Sequence, residues 1–124
     1  MFIIEDDIIY LTRGDHAEIY VDILNEANEA YIVRPGDCLT LTVREEPDLN
    51  SPVLYEVKGE SGSPCVVIPT GATSEMIVGE YSADIQIETA DGRVFTVWPS
   101  LDGKNRTRVR NFKNFNIMPE VTMA

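Results

Sequence analysis

Residues 81–98 read YSADIQIETADGRVFTVW, and this stretch predicts a β-hairpin. Apolar residues occupy every second position from Tyr81 to Ile87, which is the pattern of a strand with one buried face. A second β-prone run covers Val94–Trp98. Between the two runs lies Asp91-Gly92, a dipeptide that favours a type I′ turn with positive φ at both central residues. The hairpin is therefore the strongest local prediction in the chain.

The length of the hairpin loop decides which side chains of the second strand face the core. A two-residue loop pairs Ile87 with Thr96 and turns Trp98 inward, so that Phe95 and Val97 point outward. Two apolar residues on an outer face require a second layer or a partner. A one-residue bulge would reverse this orientation.

The rest of the chain repeats the strand pattern between turn signals such as Arg13-Gly14-Asp15 and Pro35-Gly36-Asp37. Spacings near ten residues predict one β-sandwich or barrel domain over 1–124. One helical turn is expected at Thr73–Val78. The further strands are predicted at Ile8–Thr12, Ala17–Leu24, Leu39–Arg44, Val53–Lys58, Cys65–Ile68 and Val109–Ile117. The side chains expected in the core are Ile19, Val21, Leu41, Tyr81, Ile85, Ile87 and Trp98.

Composition narrows the class of protein. The 124 residues are 44% hydrophobic and 25% charged, with a net charge of −11. This acidity argues against nucleic-acid binding, and no apolar run approaches the length of a membrane helix. The acidic start lacks the basic region of a secretory signal, so we expect synthesis and folding in the cytosol. Cys38 and Cys65 are accordingly expected to remain thiols.

The charge is unevenly distributed along the chain. Residues 1–103 carry 20 acidic and 5 basic side chains, whereas residues 104–124 carry 5 basic and 1 acidic. One interpretation of the basic run is a solvated edge strand. The other is a docking strip for an acidic neighbour, which includes another copy of this protein. The basic residues are Lys104, Arg106, Arg108, Arg110 and Lys113.

A candidate interface combines this basic run with Phe95 and Val97, with Glu18, Asp22 and Asp84 as an acidic complement. The alternative is that the basic segment folds back over Phe95 and Val97 within one chain.

Catalytic and metal-binding patterns are weak. His16 is the sole histidine and stands beside a turn. Gly59-Glu60-Ser61-Gly62 approaches a nucleophile elbow, but Ser63 breaks the G-x-S-x-G pattern. No D-x-D-x-D-G calcium loop is present. We expect no enzymatic activity, cofactor or metal, and we interpret Arg13-Gly14-Asp15 as a turn.

Three segments carry a family resemblance: Thr12-Arg13-Gly14-Asp15, Pro35-Gly36-Asp37 with the strand after it, and Gly79-Glu80-Tyr81 with its strand and Asp91-Gly92. The ending from Phe115 to Thr122 fits the same pattern. Together they resemble small prophage proteins of Gram-positive bacteria, in particular the N-terminal immunoglobulin-like domain of the upper baseplate protein of siphophages.

The resemblance implies an immunoglobulin-like β-sandwich of about seven to eight antiparallel strands. It also implies a non-enzymatic structural module that binds other phage tail or baseplate proteins. The formation of a homo-oligomer is a separate hypothesis, which rests on the basic run and the hairpin register. Such a protein would reside in the virion tail, and in the host bacterial cytoplasm during assembly. In this fold a tyrosine at the position of Tyr81 pins a corner of the sandwich. The alternative function is a carbohydrate- or cell-surface-binding module that stacks sugars on Tyr20, Tyr55 and Trp98.

Overall fold

A computed structural model describes residues 1–5, 7–25, 27, 29–99 and 113–120 of the chain. These residues form eleven strands and no helix. Residues 70–75 form turns where a helical turn was expected. The strands are β1 Phe2–Glu5, β2 Ile8–Thr12, β3 Ala17–Tyr20, β4 Ile23–Leu24, β5 Ala30–Tyr31, β6 Cys38–Arg44, β7 Val53–Lys58, β8 Cys65–Ile68, β9 Gly79–Glu88, β10 Val94–Trp98 and β11 Phe115–Met118.

Seven of the strands form a large sheet with the order β1-β2-β11-β9-β6-β7, and β10 also pairs with β9. The expectation of antiparallel strands is wrong for one pair, because β2 and β11 run parallel. A parallel pair needs a long connection. Here nearly the whole described chain lies between the two strands, so the topology satisfies that requirement.

A smaller sheet pairs β3 with β8, and β4 pairs with β5 in a short hairpin. The predicted strand Ala17–Leu24 is interrupted at residues 21 and 22, yet its alternation persists. Its odd-numbered residues are buried or half-buried, and its even-numbered residues are exposed. Sequence reasoning missed two strands, β1 and β5. The last strand begins at Phe115, and residues 109–112 of its predicted range lie outside the described part.

The core contains buried side chains from both sheets. The large sheet contributes Ile9, Leu11, Leu39, Leu41, Val43, Tyr81, Ala83, Ile85, Ile87, Phe115 and Ile117, and the small sheet contributes Ala17, Ile19, Val66 and Ile68. Five of the seven predicted core residues are buried. The other two, Val21 and Trp98, are partly buried and pack against the same cluster.

The hairpin register differs by one residue from the prediction near its turn. Phe95 pairs with Ile87, and Val94 pairs with Glu88. The reason is a three-residue loop, in which the Thr89 amide donates to the Arg93 carbonyl at 2.8 Å. Gly92 has φ of 88°, as the residue that ends such a loop requires. Phe95 therefore lies on the same side of the sheet as Ile87, but its ring remains 49% exposed. A second register shift between Thr96 and Trp98 restores the predicted pairing of Trp98 with Ile85.

One edge of β9 is shared by two strands, and an asparagine side chain completes the pairing between them. β10 pairs with β9 at Ile85–Glu88, and β11 pairs with it at Gly79–Tyr81. Asn114 is 2% exposed. Its Oδ1 accepts from the Ala83 amide at 2.7 Å, and its Nδ2 donates to the Ala83 carbonyl at 2.9 Å. The side chain thus makes the two hydrogen bonds with Ala83 that the main chain of a neighbouring strand would otherwise make.

The main chain of Asn114 ties together the strands on either side of β11. Its amide donates to the Tyr81 carbonyl at 3.0 Å, and its carbonyl accepts from the Ile9 amide at 2.8 Å. At the start of β9, the Tyr81 hydroxyl donates to the Ile77 carbonyl and pins the preceding turn. The hydroxyl thus joins the start of β9 to the chain four residues upstream.

Replacing Asn114 by Ala should destabilise the protein by about 2–5 kcal/mol, because the amide and carbonyl of Ala83 lose their partners in a buried place. Denaturant unfolding measures this. The matched control is Asn116→Ala on the same strand, since the buried Asn116 Oδ1 has no hydrogen-bond partner among the described residues. Equal costs for the two variants would contradict the role given to Asn114.

Truncating Ile85, which is 1% exposed, to Ala should cost about 2–5 kcal/mol through lost burial and the cavity left behind. The neighbouring Gln86→Ala, at an exposed position, should change the free energy of unfolding by less than about 0.5 kcal/mol. Thermal or denaturant melting compares the two, and a cost for Ile85→Ala as small as that of the control would mean that the inward face is assigned wrongly.

Candidate assembly surface

Strand β10 presents apolar side chains beside a strand edge that no described strand pairs with. Val94 is 53% exposed and Phe95 is 49% exposed. No residue of Val94–Trp98 is charged, and within the described ranges β9 is the only strand that pairs with β10. Natural proteins usually guard such edges with charged residues or proline. We take Val94 and Phe95, with the free edge of β10, as the candidate assembly surface.

Val97, the other apolar residue predicted to point outward, does not join this surface. It is half-buried and packs against the core. The prediction failed because the three-residue loop shifts the register by one residue, which turns Val97 to the same side of the strand as Phe95 and the buried Ile87. Val94, which the predicted register turned inward, is the exposed residue instead.

The guanidinium group of Arg93 lies over the exposed ring of Phe95. Its Cζ lies 5.8 Å from the ring centroid, within the range of a cation–π contact. Arg93 Nε also forms an ion pair of 3.0 Å with Asp91 Oδ2. Hydrogen bonds from Thr89 and Arg93 lower the pKa of Asp91. The turn thus places a cation beside the apolar surface.

A buried carboxylate holds the β9–β10 turn in place. Asp37 is 2% exposed, and its Oδ1 accepts from the Ala90 amide at 3.0 Å. Its Oδ2 accepts from the Tyr31 hydroxyl at 2.6 Å and from the Arg34 amide at 3.0 Å. The Asp37 carbonyl accepts from the Gly62 amide at 2.9 Å. One residue therefore connects its own turn and β5 with the loop before β8 and with the β9–β10 turn.

Hydrogen bonding also shifts the ionisation of this group. The Tyr31 hydroxyl first, and then the Arg34 amide, lower the pKa of Asp37. The same hydrogen bond raises the pKa of Tyr31. In the sequence, Pro35-Gly36-Asp37 signalled only a turn. The alternation of Tyr31 and Val33 before it was the one hint that a buried partner lay nearby.

The basic run is only partly within the described residues. Lys113 is half-buried, and its Nζ lies 3.1 Å from Glu46 Oε1 and donates to the Glu45 carbonyl. It is therefore engaged within its own chain, at the end of β6. The other members of the predicted strip, Lys104, Arg106, Arg108 and Arg110, lie outside the described residues.

The three proposed acidic partners do not form one surface. Glu18 and Asp22 are exposed on the outward side of the small sheet and its continuation. Asp84 lies on the outward side of the large sheet, opposite Thr42. Burial raises the pKa of Asp84, and Arg44 acts in the opposite direction. The acidic complement predicted from the sequence is thus divided between opposite faces.

The aromatic residues proposed for sugar stacking are likewise separated. Tyr20 is 70% exposed on the outward side of β3. Tyr55 and Trp98 are partly buried and pack against the core from the large sheet. These three rings therefore form no common stacking strip.

Groups with catalytic or metal-binding potential are dispersed over the described chain. His16 Nε2 lies 3.3 Å from Glu18 Oε2 at the surface, and among the described residues no three His, Cys, Asp or Glu side chains are clustered as metal ligands. Cys38 and Cys65 are free thiols on different sheets.

The Arg13-Gly14-Asp15 segment forms a turn, as predicted. The Gly14 amide donates to Thr73 Oγ1 at 2.8 Å, and Gly14 has φ of 85°. Arg13 pairs with Glu120 at 3.0 Å, and the terminal amino group pairs with Asp15. These contacts fix the turn, whose residues line a groove of about 490 Å³.

Within the described part of the chain, no helix is long and apolar enough to cross a membrane. Comparisons with protein-family models, with curated proteins and with solved structures found no significant match.

The lowered pKa of Asp37 predicts an acid-sensitive fold. A carboxylate with a depressed folded pKa stabilises the protein above its unfolded value of about 3.9, and this contribution is lost as the pH falls through the folded pKa. We expect Asp37→Asn to lower the melting temperature at neutral pH and to flatten its dependence on pH below about 4. The control is Asp22→Asn at an exposed position. Parallel melting curves for wild type and Asp37→Asn across this range would contradict the assignment.

Proposed function

We propose that this protein is a non-enzymatic structural module of a bacteriophage or prophage tail, of the baseplate type, that binds other tail proteins. The observation that carries the proposal is the uncharged strand β10, which leaves an edge unpaired among the described residues and exposes Val94 and Phe95. The sequence resemblance supplies the tail context.

The proposed mode of binding is the addition of a partner strand to β10. Main-chain groups at a strand edge supply hydrogen bonds, and alternate side chains supply specificity. Val94 and Phe95 point to opposite sides of β10, so a partner strand would meet an apolar side chain on each side. Arg93, paired with Asp91 and stacked on Phe95, adds charge at the rim.

We further propose that the domain is an immunoglobulin-like β-sandwich. Two features support this fold: buried side chains of a large and a small sheet share one core, and the Tyr81 hydroxyl bonds to the chain four residues upstream. The parallel pairing of β2 with β11 is a departure from an entirely antiparallel arrangement. The proposed location is the virion tail, with assembly in the bacterial cytoplasm.

The test is incorporation into particles. Tailed particles purified from the encoding bacterium should contain the wild-type protein, and Val94→Ser with Phe95→Ser should reduce its incorporation at least about tenfold through loss of apolar contact area. Quantitative mass spectrometry measures the amount, and melting curves establish that the variant folds.

The matched control changes another apolar edge of similar exposure. Val53 and Leu54 on β7 are 45% and 44% exposed, and replacing both by Ser should leave incorporation unchanged. Wild-type protein missing from the particles would contradict the tail assignment. Incorporation of the β10 variant at the wild-type level would contradict the role of β10.

A further inference from the structure

The small sheet and the hairpin beside it expose a second mixed surface. Along residues 18–24 every even-numbered side chain points away from the core. Ile23 pairs with Tyr31 and Leu24 with Ala30, so Ile32 lies on the same side as Leu24. We call this surface the outer face and define it by Glu18, Tyr20, Asp22, Leu24 and Ile32.

The apolar members of the outer face are unusually open to solvent. Tyr20 is 70% exposed, Leu24 is 62% exposed and Ile32 is 78% exposed. Single apolar residues at a surface are ordinary, but several on one face mark an interaction site. Their partly buried neighbours Val21, Ile23 and Tyr31 point the other way and pack against the core.

The acidic members of the outer face select a cationic partner. Glu18 and Asp22 flank Tyr20 along one extended segment. Among the described residues, the ion pair present on this face joins Glu18 to His16, and no lysine or arginine is within pairing distance of either carboxylate. A partner that places cations at alternate positions of a strand would complement this pattern.

The chain itself contains such a segment. Residues 104–110 read KNRTRVR, with Lys or Arg at every second position. In an extended strand these cations share one side, and residues four apart are separated by roughly 13 Å. The spacing of Arg106 and Arg110 then equals that of Glu18 and Asp22, and Arg108 falls opposite the ring of Tyr20, where a cation–π contact is favourable.

The short connection between Arg110 and Lys113 favours binding of residues 104–110 from another molecule over binding of the same residues within one chain. Lys113 is held by Glu46 at the large sheet, and Asn114 is paired with β9. Arg110 lies only three residues before Lys113, a reach of roughly 10 Å. Packed sheets are themselves about 10 Å apart. Three residues therefore span the distance between the two sheets, but not the further layer beyond the small sheet that Arg110 would have to occupy to reach Asp22 of its own chain.

We propose that the outer face binds the strip Lys104–Arg110 of a second copy of this chain. Two copies can exchange strips reciprocally about a twofold axis, which gives a closed dimer. This inference deepens the proposed assembly role and rests on it, but it uses a surface separate from β10.

Charge reversal with complementation tests the contact. The face variant carries Glu18→Lys and Asp22→Lys, and the strip variant carries Arg106→Glu and Arg110→Glu. Sedimentation velocity should show a wild-type dimer whose dissociation constant rises at least about tenfold with salt. Each variant alone should be monomeric, because both reciprocal contacts become repulsive. An equimolar mixture should form a heterodimer, because both contacts are again between opposite charges.

A matched control reverses two exposed carboxylates on the large sheet. Glu56→Lys with Glu88→Lys changes the net charge as much as the face variant does and should leave the dimer intact. A wild-type monomer at every concentration, a face variant that dimerises normally or a mixture that stays monomeric would each overturn the inference. Those results leave the β10 proposal standing, since incorporation into particles is measured with β10 variants alone.

Discussion

The hydrogen bonds between Asn114 and Ala83 allow two separate strands to share one edge of β9. Where β10 ends and β11 has not yet begun, Ala83 would otherwise bury an unpaired amide and an unpaired carbonyl. Leaving such groups without partners costs more than a surface contact returns. With this side chain in place, β11 pairs with β9 and with β2, and the N-terminal strands join the large sheet.

The same arrangement keeps β10 and β11 apart. β11 pairs with β9 at Gly79–Tyr81, and among the described residues β9 is the one strand that pairs with β10. Asp37 then fixes the hairpin from the opposite end through the Ala90 amide. A strand that is held at its turn, and whose other edge has no partner among the described residues, is suited to accept a partner strand. The buried polar side chains thus determine where an assembly surface can lie.

Alternation alone was sufficient to predict most of this fold. The inward faces of β3, β6 and β9 follow directly from period-two patterns. The hairpin register was not predictable, since Asp91-Gly92 fits both a two-residue and a three-residue loop. Asn114 gave no signal, because an asparagine before a strand is ordinary in turns. The sequence could not show that Glu18 and Asp22 lie on one face and Asp84 on another, because this depends on which strands pair, and local sequence patterns do not specify strand pairing.

Hydrogen exchange on β10 tests the central claim most directly. In the free protein, amides of Val94–Trp98 that face away from β9 should exchange rapidly, because nothing among the described residues pairs with that edge. In purified tail particles the same amides should become protected by at least about tenfold, as expected when a partner strand adds to the edge. Equal exchange in the free and assembled protein would show that β10 is not the assembly surface.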